Sequence, residues 1–118
     1  MNRDDFDYRI LQLTQKFYAD YPPEVYREIL QKKKRAYACL LLKTKYDYYI
    51  CLPYRTEIRH NQAYFFKDSK RSEKHRSGLD YSKMLIVKNP EYLGTEDAII
   101  DQDEFKETSI NASTNFRL

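Results

Sequence analysis

A short polar segment follows the apolar run that ends at Leu52. It contains Arg55, Thr56 and His60, three side chains that together suit phosphodiester chemistry. Cleaving RNA without a metal needs a base for the ribose 2′-hydroxyl, a cation for the phosphate oxygens and an acid for the leaving 5′-oxygen. Arginine offers phosphate a planar, permanently charged fork, and histidine exchanges protons near neutral pH. We therefore predict that these three residues form a catalytic group.

The spacing of this group leaves the role of each residue open. If residues 54–60 are extended, Thr56 and His60 share one face while Arg55 and Arg59 share the other. A bend after Pro53 would bring Arg55 round to the histidine. Each residue also has a structural interpretation, since a lone histidine often only holds a hydrogen bond, an arginine is often a solvated charge, and threonine favours strands.

A second candidate set lies at Asp80, Ser82 and Lys83, after a polar loop. Asp80 could orient a base or cap a turn, and Lys83 could contact phosphate. The alternative is that these are simply the polar residues with which a strand begins. Glycine is scarce, with only Gly78 and Gly94, so a glycine-rich phosphate loop is not expected.

Charge is distributed unevenly along the chain. Residues 31–88 hold 15 Lys and Arg against 5 Asp and Glu, whereas the rest holds 6 against 13. A basic middle between acidic ends favours a polyanion partner, with nucleic acid first, although a merely solvated lysine-rich surface gives the same pattern. The predicted RNA-backbone contacts in this stretch are Lys33, Lys34, Arg35, Lys43, Arg59, Lys70, Arg71, Lys74, Arg76 and Lys83.

The length and the order of the predicted helices and strands indicate one α+β domain over residues 1–118, which must position these residues. Short connections favour antiparallel pairing, including a β-hairpin at 37–52, and a twisted, partly open barrel-like sheet. Pro53 is expected to end the hydrogen-bonded ladder or to mark an edge, because it cannot donate to the ladder. The loop at 67–78 is expected to be mobile. The predicted helices are Phe6–Tyr21, Pro23–Leu30 with Val25 docked inward, and Gln102–Asn111 with Phe105 inward; the predicted strands are Tyr37–Thr44, Tyr48–Leu52, Ala63–Phe66, Leu79–Val87 and Ala98–Ile100.

The cysteines and the lack of targeting motifs indicate the cellular compartment in which the protein is expected. Cys39 and Cys51 fall in apolar runs with no zinc-site spacing, so buried reduced thiols are expected. No metal-site motif is present, and we predict neither a metal nor a cofactor. No signal peptide, lipidation motif or run near the ~20 apolar residues of a membrane span is visible, so a cytoplasmic protein is predicted.

Several motifs together resemble the TenpN/CptN branch of type III toxin–antitoxin toxins, relatives of ToxN and AbiQ. They are Arg-x-Tyr at 35–37 before a leucine-rich strand, Pro-Tyr-Arg-Thr-x-Ile-x-His at 53–60, Gly-Leu-Asp-Tyr-Ser-Lys at 78–83 and the AIIDQDEF run at 98–105. The likeness covers about residues 17–107. Each motif is short, but their order and spacing are similar to those of the family.

This resemblance implies a metal-independent endoribonuclease with a MazF/Kid-like fold. Such toxins cut cellular RNA, process their own repeat-containing antitoxin transcript, are inhibited by the resulting RNA pseudoknots in closed toxin–RNA assemblies, and act in phage defence. By position it places Arg55, Thr56 and His60 in the active site, surrounded by Tyr37, Lys43, Asp80, Ser82 and Lys83. The family usually continues into a further long helix, so the resemblance also implies a shortened C-terminus.

Two other functions stay open at this point. The first is a basic RNA-binding module without cleavage, as a degenerate homologue of the toxins would be. The second is a DNA-binding regulator, which no helix-turn-helix or zinc-finger pattern supports.

Overall fold

The computed structural model describes residues 8–42 and 48–114. Short 3₁₀ turns lie at Arg71–Glu73, Tyr81–Lys83 and Pro90–Tyr92. The predicted α+β class is confirmed. The helices and strands are β1 (Tyr8–Leu13), α1 (Gln15–Asp20), β2 (Ala36–Leu42), β3 (Tyr48–Arg55), β4 (Ala63–Phe65), β5 (Gly78–Asp80), β6 (Leu85–Val87), β7 (Leu93–Asp97) and α2 (Gln102–Thr114).

The strands form one antiparallel sheet that is not closed into a barrel. Its order is β4-β5-β3-β2-β1-β7, and β6 pairs with β3 beside that path. The predicted hairpin is confirmed, because β2 and β3 pair from Leu42 with Tyr48 to Tyr37 with Pro53. The residues predicted to make its turn, 45–47, lie outside the described part of the chain.

Strand β2 runs through the middle of the sheet and is covered on both faces, as its continuous apolar run predicts. Tyr37 and Cys39 point into one core cluster with Cys51, whereas Ala38 and Leu40 point into another. Cys39 and Cys51 are paired across the two strands and are buried free thiols, as predicted. Within the described residues, no helix is both long and apolar enough to cross a membrane.

Strand β3 has two partners on its outer edge. Residues 49–51 pair with β6, and Tyr54 and Arg55 pair with β5. The prediction that Pro53 ends the ladder or marks an edge is confirmed for the pairing with β2, whose last pair is Tyr37 with Pro53, although β3 itself continues to Arg55. Pro53 falls in the gap between the two pairings, where a missing N–H costs little. The continuation places Arg55 beside the short strand that ends at Asp80.

The first helix predicted at Phe6–Tyr21 is wrong over its first half. Residues 8–13 form β1, which pairs with β2 on one side and β7 on the other, and Thr14 caps the short helix α1. Leu11 and Leu13 are buried on either side of exposed Gln12, which is the alternation of a strand. Phe6 lies outside the described residues.

Two other predicted elements are absent from the described chain, and a third is interrupted. Residues 23–30 form turns rather than a helix, and Val25 is 72 % exposed rather than docked. The predicted strand at 79–87 is broken by the 3₁₀ turn at Tyr81–Lys83. The predicted strand at 98–100 is wrong as well, since the strand lies at Leu93–Asp97 and Ile99 is 98 % exposed.

Helix α2 forms where predicted but packs through polar side chains. Phe105 is half-exposed, while Glu104, Glu107 and Thr108 are buried. Glu107 Oε1 accepts the backbone N–H of Lys67 at 2.7 Å. Helix α2 therefore fixes the start of the 67–78 loop, which the composition had predicted to be mobile.

Candidate active site

The buried carboxylate of Asp80 organises the candidate site. Asp80 ends β5 and is 0 % exposed. Arg55 Nη1 donates to Oδ2 at 2.7 Å, and the Ser82 hydroxyl and backbone N–H donate to Oδ1 at 2.6 and 2.9 Å. His60 Nε2 lies 3.2 Å from Oδ1 and 3.3 Å from Oδ2. A single carboxylate thus holds the guanidinium, the imidazole and the serine together.

Local sequence explains why Asp80 lies at this point. Gly78 lets β5 approach β4 closely, because a Cβ there would overlap the carbonyl oxygen of Tyr64. The register pairs Arg55 with Gly78 and Ala63 with Asp80. The Asp80 side chain then accepts the Ser82 N–H and so caps the 3₁₀ turn that follows. Of the two roles that the sequence offered for Asp80, capping a turn is confirmed, and the orienting of a base stays a prediction.

Hydrogen bonds define the tautomer of His60. Its Nδ1 accepts the backbone N–H of Gln62 at 3.0 Å, so Nδ1 carries no proton. The proton of neutral His60 is therefore on Nε2, facing the Asp80 carboxylate and lying 3.0 Å from Ser82 Oγ. In this neutral form neither ring nitrogen has a free lone pair for use as a base, and His60 could give up a proton only after Nδ1 had been protonated.

Asp80 itself is held in the ionised form. Burial raises the pKa of Asp80, but hydrogen bonds from Ser82, Arg55 and His60 together outweigh it and leave the pKa below its usual value. Because the carboxylate is fully buried and engaged by several donors, it is placed to hold its neighbours rather than to touch a ligand.

Arg55 also faces a basic groove. It lines a cavity of about 250 Å³ together with Lys34, Arg35, Thr56 and Arg71, and Lys32 lies on the same wall. A second cavity of about 500 Å³ shares Thr56 and Arg71 with the first and adds Lys70 and Lys74. We call the two connected cavities the basic groove. Asp101 lines both cavities and pairs with Arg71 at 3.4 Å.

Arg35 lines the basic groove with one of its donors unsatisfied. Its Nη1 donates to the carbonyl of Tyr54 at 2.8 Å, but its Nε is buried without a hydrogen-bond partner among the described residues. Burial lowers the pKa of Arg35, and the nearby Arg55 charge lowers that pKa further. An anion between the two guanidinium groups would supply the missing acceptor and relieve their repulsion.

The bend between Arg55 and His60 occurs at Glu57. Glu57 has φ 56°, in the left-handed region that a residue with a Cβ rarely adopts. Its carboxylate pairs with His75, and the next residue, Ile58, is buried and donates its N–H to the Arg76 carbonyl at 2.9 Å. Backbone strain of this kind occurs often at functional sites. Here the turn separates Thr56, in the groove, from His60, at Asp80.

The structure therefore divides the predicted catalytic group. Arg55 and His60 share Asp80, and Arg55 and Thr56 share the basic groove, but Thr56 and His60 have no contact with each other among the described residues. The Thr56 side chain is exposed, and no hydrogen bond holds its hydroxyl in the described part of the chain.

The predicted RNA contacts separate in the same way. Tyr37 is a correction, since it is buried in the core and exposes no surface that RNA could touch. Lys43 lies outside the described residues. Lys33 and Arg59 are exposed but line neither cavity of the groove. Arg76 donates to the His60 carbonyl at 3.1 Å, and Ser82 and Lys83 line a different cavity. Lys34, Arg35, Lys70, Arg71 and Lys74 line the basic groove, as a phosphate-binding role requires.

Sequence reasoning missed two supporting residues. Gln62 acts through its backbone N–H, which any non-proline residue supplies, so its identity carried no signal. The identity of Glu57 gave no signal either, because glycine and asparagine are the residues that normally indicate a left-handed backbone.

No protein-family model, curated protein or solved structure matches this chain.

Proposed function

We propose that this protein is an endoribonuclease that cleaves RNA by attack of the ribose 2′-hydroxyl, without a metal. The observation that carries the proposal is the Asp80 carboxylate, which holds Arg55 and the protonated Nε2 of His60 together at one end of a basic groove. The resemblance to type III toxins, which rests on the same residues, supports the assignment.

In this reaction the 2′-oxygen gives its proton to water and forms a bond to phosphorus, while the bond from phosphorus to the 5′-oxygen breaks. His60 acts as the imidazolium, in which Nδ1 has taken a proton and released the Gln62 N–H. It gives its Nε2 proton to the departing 5′-oxygen and becomes neutral, while Arg55 stabilises the charge on the phosphate oxygens. The products are a 2′,3′-cyclic phosphate and a 5′-hydroxyl. The Ser82 hydroxyl, 3.0 Å from Nε2, can then turn from Asp80 and donate to the bare nitrogen until water reprotonates it.

The remaining residues of the groove bind the RNA backbone in this proposal. Arg35 has a free buried donor that a phosphate oxygen would satisfy, and Thr56 offers a hydroxyl to the neighbouring phosphate. The lysines of the second cavity contact phosphates further along the strand. We expect binding to weaken steeply with salt for this reason.

The wider biological setting is part of the same proposal. An RNA pseudoknot cut from tandem repeats would occupy the basic groove and inhibit the enzyme in a closed toxin–RNA assembly in the cytoplasm. The open antiparallel sheet is compatible with the MazF/Kid-like architecture that the resemblance implies.

Analysis of the RNA ends tests the chemistry directly. The purified protein, incubated with RNA in the presence of EDTA, should produce 2′,3′-cyclic phosphate and 5′-hydroxyl ends. A 2′-deoxy substitution at the mapped cut site should stop cleavage there. Cleavage that needs added metal, or products with 5′-phosphate ends, would contradict the mechanism.

Conservative variants separate catalysis from folding. His60→Gln keeps a donor towards Asp80 but has no proton to give, and loss of a general acid costs about 10²- to 10⁴-fold. Arg55→Lys keeps the ion pair but loses the fork, so we expect reduced cleavage by a folded protein. Arg59→Lys is the matched control for Arg55→Lys, since Arg59 lies outside both the Asp80 cluster and the cavities of the basic groove. Cleavage by His60→Gln at the rate of the parent protein would remove His60 from the mechanism.

One observation favours a second candidate function, RNA binding without cleavage. Both nitrogens of His60 are already engaged by the protein, and none of its contacts leaves a lone pair for use as a base. In that case the protein binds RNA in a salt-sensitive way, and full-length RNA is recovered after long incubation.

A further inference from the structure

Exposed apolar side chains gather close to the Asp80 cluster. Among the described residues, eight large apolar side chains are exposed, and six of them lie in the segments 21–26 and 81–86. Five of the six line one or the other of two neighbouring cavities, and an exposed apolar patch often marks a binding site. The six are Tyr21, Val25, Tyr26, Tyr81, Met84 and Ile86.

Between these two segments lies a cavity of about 620 Å³, lined by residues 25–29 and 82–85, which we call the apolar trough. A neighbouring cavity of about 400 Å³ shares Ile29 and Leu85 with it and reaches Tyr21. Each volume lies in the range of pockets that hold small organic groups.

The aromatic wall of the apolar trough is anchored to the core. The Tyr26 ring lies 5.3 Å from the ring of Tyr21, which in turn lies 5.4 Å from the ring of buried Phe17. Tyr21 also contacts Tyr92 at 5.7 Å. An exposed ring held in place by such a series of contacts binds a flat ligand with little loss of conformational entropy.

Ser82 connects the apolar trough to the candidate active site. It lines the trough, and its Oγ lies 3.0 Å from His60 Nε2 and 2.6 Å from Asp80. Arg27 and Lys83 also line the trough, against the single carboxylate of Glu28. An apolar, aromatic depression with a cationic rim therefore opens beside the proposed proton donor.

From this juxtaposition we propose that the apolar trough binds the unpaired base of a nucleotide adjacent to the scissile phosphate and thereby selects where the RNA is cut. The inference rests on the proposed function and adds a specificity subsite to it. A base stacks on Tyr26 and contacts the thioether of Met84, while Arg27 or Lys83 meets its phosphate.

Charge argues against a second copy of this chain as the occupant. A two-fold contact through the trough would bring Arg27 and Lys83 of each copy against the same residues of the other, with only Glu28 to compensate. An anionic strand instead complements that rim.

The test compares two probes with equal numbers of phosphates: a single-stranded 2′-O-methyl adenosine hexamer, which cannot be cleaved by 2′-hydroxyl attack, and the same hexamer with abasic sugars. Tyr26→Ala and Met84→Ala should each weaken binding of the adenosine probe about tenfold, equivalent to about 1.4 kcal/mol, and leave the abasic probe unchanged. Phe105→Ala, an exposed aromatic outside the trough, should change neither, and Tyr26→Phe should bind as the parent does.

The contrary outcomes are distinct. Equal weakening of both probes, or no weakening of either, overturns the base-binding trough. Sedimentation showing that Tyr26→Ala converts a dimer into a monomer overturns it in favour of a second copy. If the parent protein binds the adenosine probe more tightly than the abasic probe but cleaves no RNA, the proposed reaction is refuted and the base-binding trough is supported. If Tyr26→Ala cleaves RNA at the same positions as the parent protein, only the base-binding trough is refuted.

Discussion

Replacing Asp80 with asparagine should cost far more stability than the same change at an exposed ion pair. Asparagine has the shape of aspartate but carries an NH₂ in place of one carboxylate oxygen. Since Arg55 donates to Oδ2 and Ser82 donates to Oδ1, that NH₂ faces a donor in either orientation. The substitution also leaves the Arg55 charge without its partner.

The magnitude follows from burial. Removing one partner of a buried ion pair costs about 3–5 kcal/mol. Arg55 keeps 28 % of its side chain exposed and can be partly solvated, so we expect a loss near the lower end, about 3 kcal/mol. For a domain of this size that corresponds to a fall in melting temperature of roughly 10 °C.

Asp97→Asn is the matched control. Arg9 Nη2 lies 2.9 Å from Asp97 Oδ1, nearly the distance of the Arg55–Asp80 pair, but the two side chains are 53 % and 75 % exposed. Exposed pairs contribute about 0.2–1 kcal/mol. Urea unfolding followed by circular dichroism gives both free energies, and similar slopes would show that the denatured states are comparable.

The stability that Asp80 contributes should also depend on pH. Burial raises the pKa of Asp80, but its hydrogen-bond donors lower that pKa more, so it is lower in the folded protein than in the unfolded chain. In the unfolded chain the carboxylate takes up a proton at about pH 4, the ordinary value for aspartate. The stabilisation is therefore complete above about pH 4 and is lost as the pH falls through the folded pKa. The difference in free energy of unfolding between the parent protein and Asp80→Asn should therefore become smaller as the pH falls through that range. Losses at Asp80 and Asp97 that agree within about 1 kcal/mol would refute the buried-carboxylate reasoning.

Two further predictions concern the backbone around the site. Gly78→Ala should destabilise the fold by about 1–3 kcal/mol, because its Cβ would overlap the Tyr64 carbonyl; a urea midpoint equal to that of the parent would contradict the close β4–β5 approach. Glycine usually makes a protein less stable than alanine does at the same position, but at position 57 the reverse is expected, since φ is 56° there. Glu57→Gly should be more stable than Glu57→Ala by about 1 kcal/mol in thermal unfolding, both having lost the His75 pair, and equal melting temperatures would rule out a left-handed residue.

Much of the sheet centre could be predicted from sequence because its signals are local. The apolar runs of β2 and β3 are long enough to indicate buried strands, and the residues between them indicate a hairpin. The error at β1 has a clear origin, since Ile10, Leu13 and Phe17 also fit a helical stripe. Pairing with β2 and β7 overrides that pattern, and partners distant in the chain are not visible in a local window.

The candidate site was predictable in its members more than in its arrangement. Arg55, His60 and Asp80 were identified by type and spacing, and the spacing left open both an extended segment and a bend after Pro53. The bend occurs at Glu57, a residue type that gives no warning of a left-handed backbone. Helix α2 shows a similar limit, because its inward-facing Glu107 accepts backbone N–H groups, whereas an apolar pattern would have put Phe105 inside.

The acidic face of α2 has a consequence for synthesis. Lys67 and Lys70 are held through their backbone N–H groups by Glu107 and Asp103, which follow them by 40 and 33 residues in the chain. While the protein is being translated, the loop therefore leaves the ribosome well before the carboxylates that fix it. The wall of the basic groove that this loop provides can therefore be fixed only after residue 107 has left the ribosome.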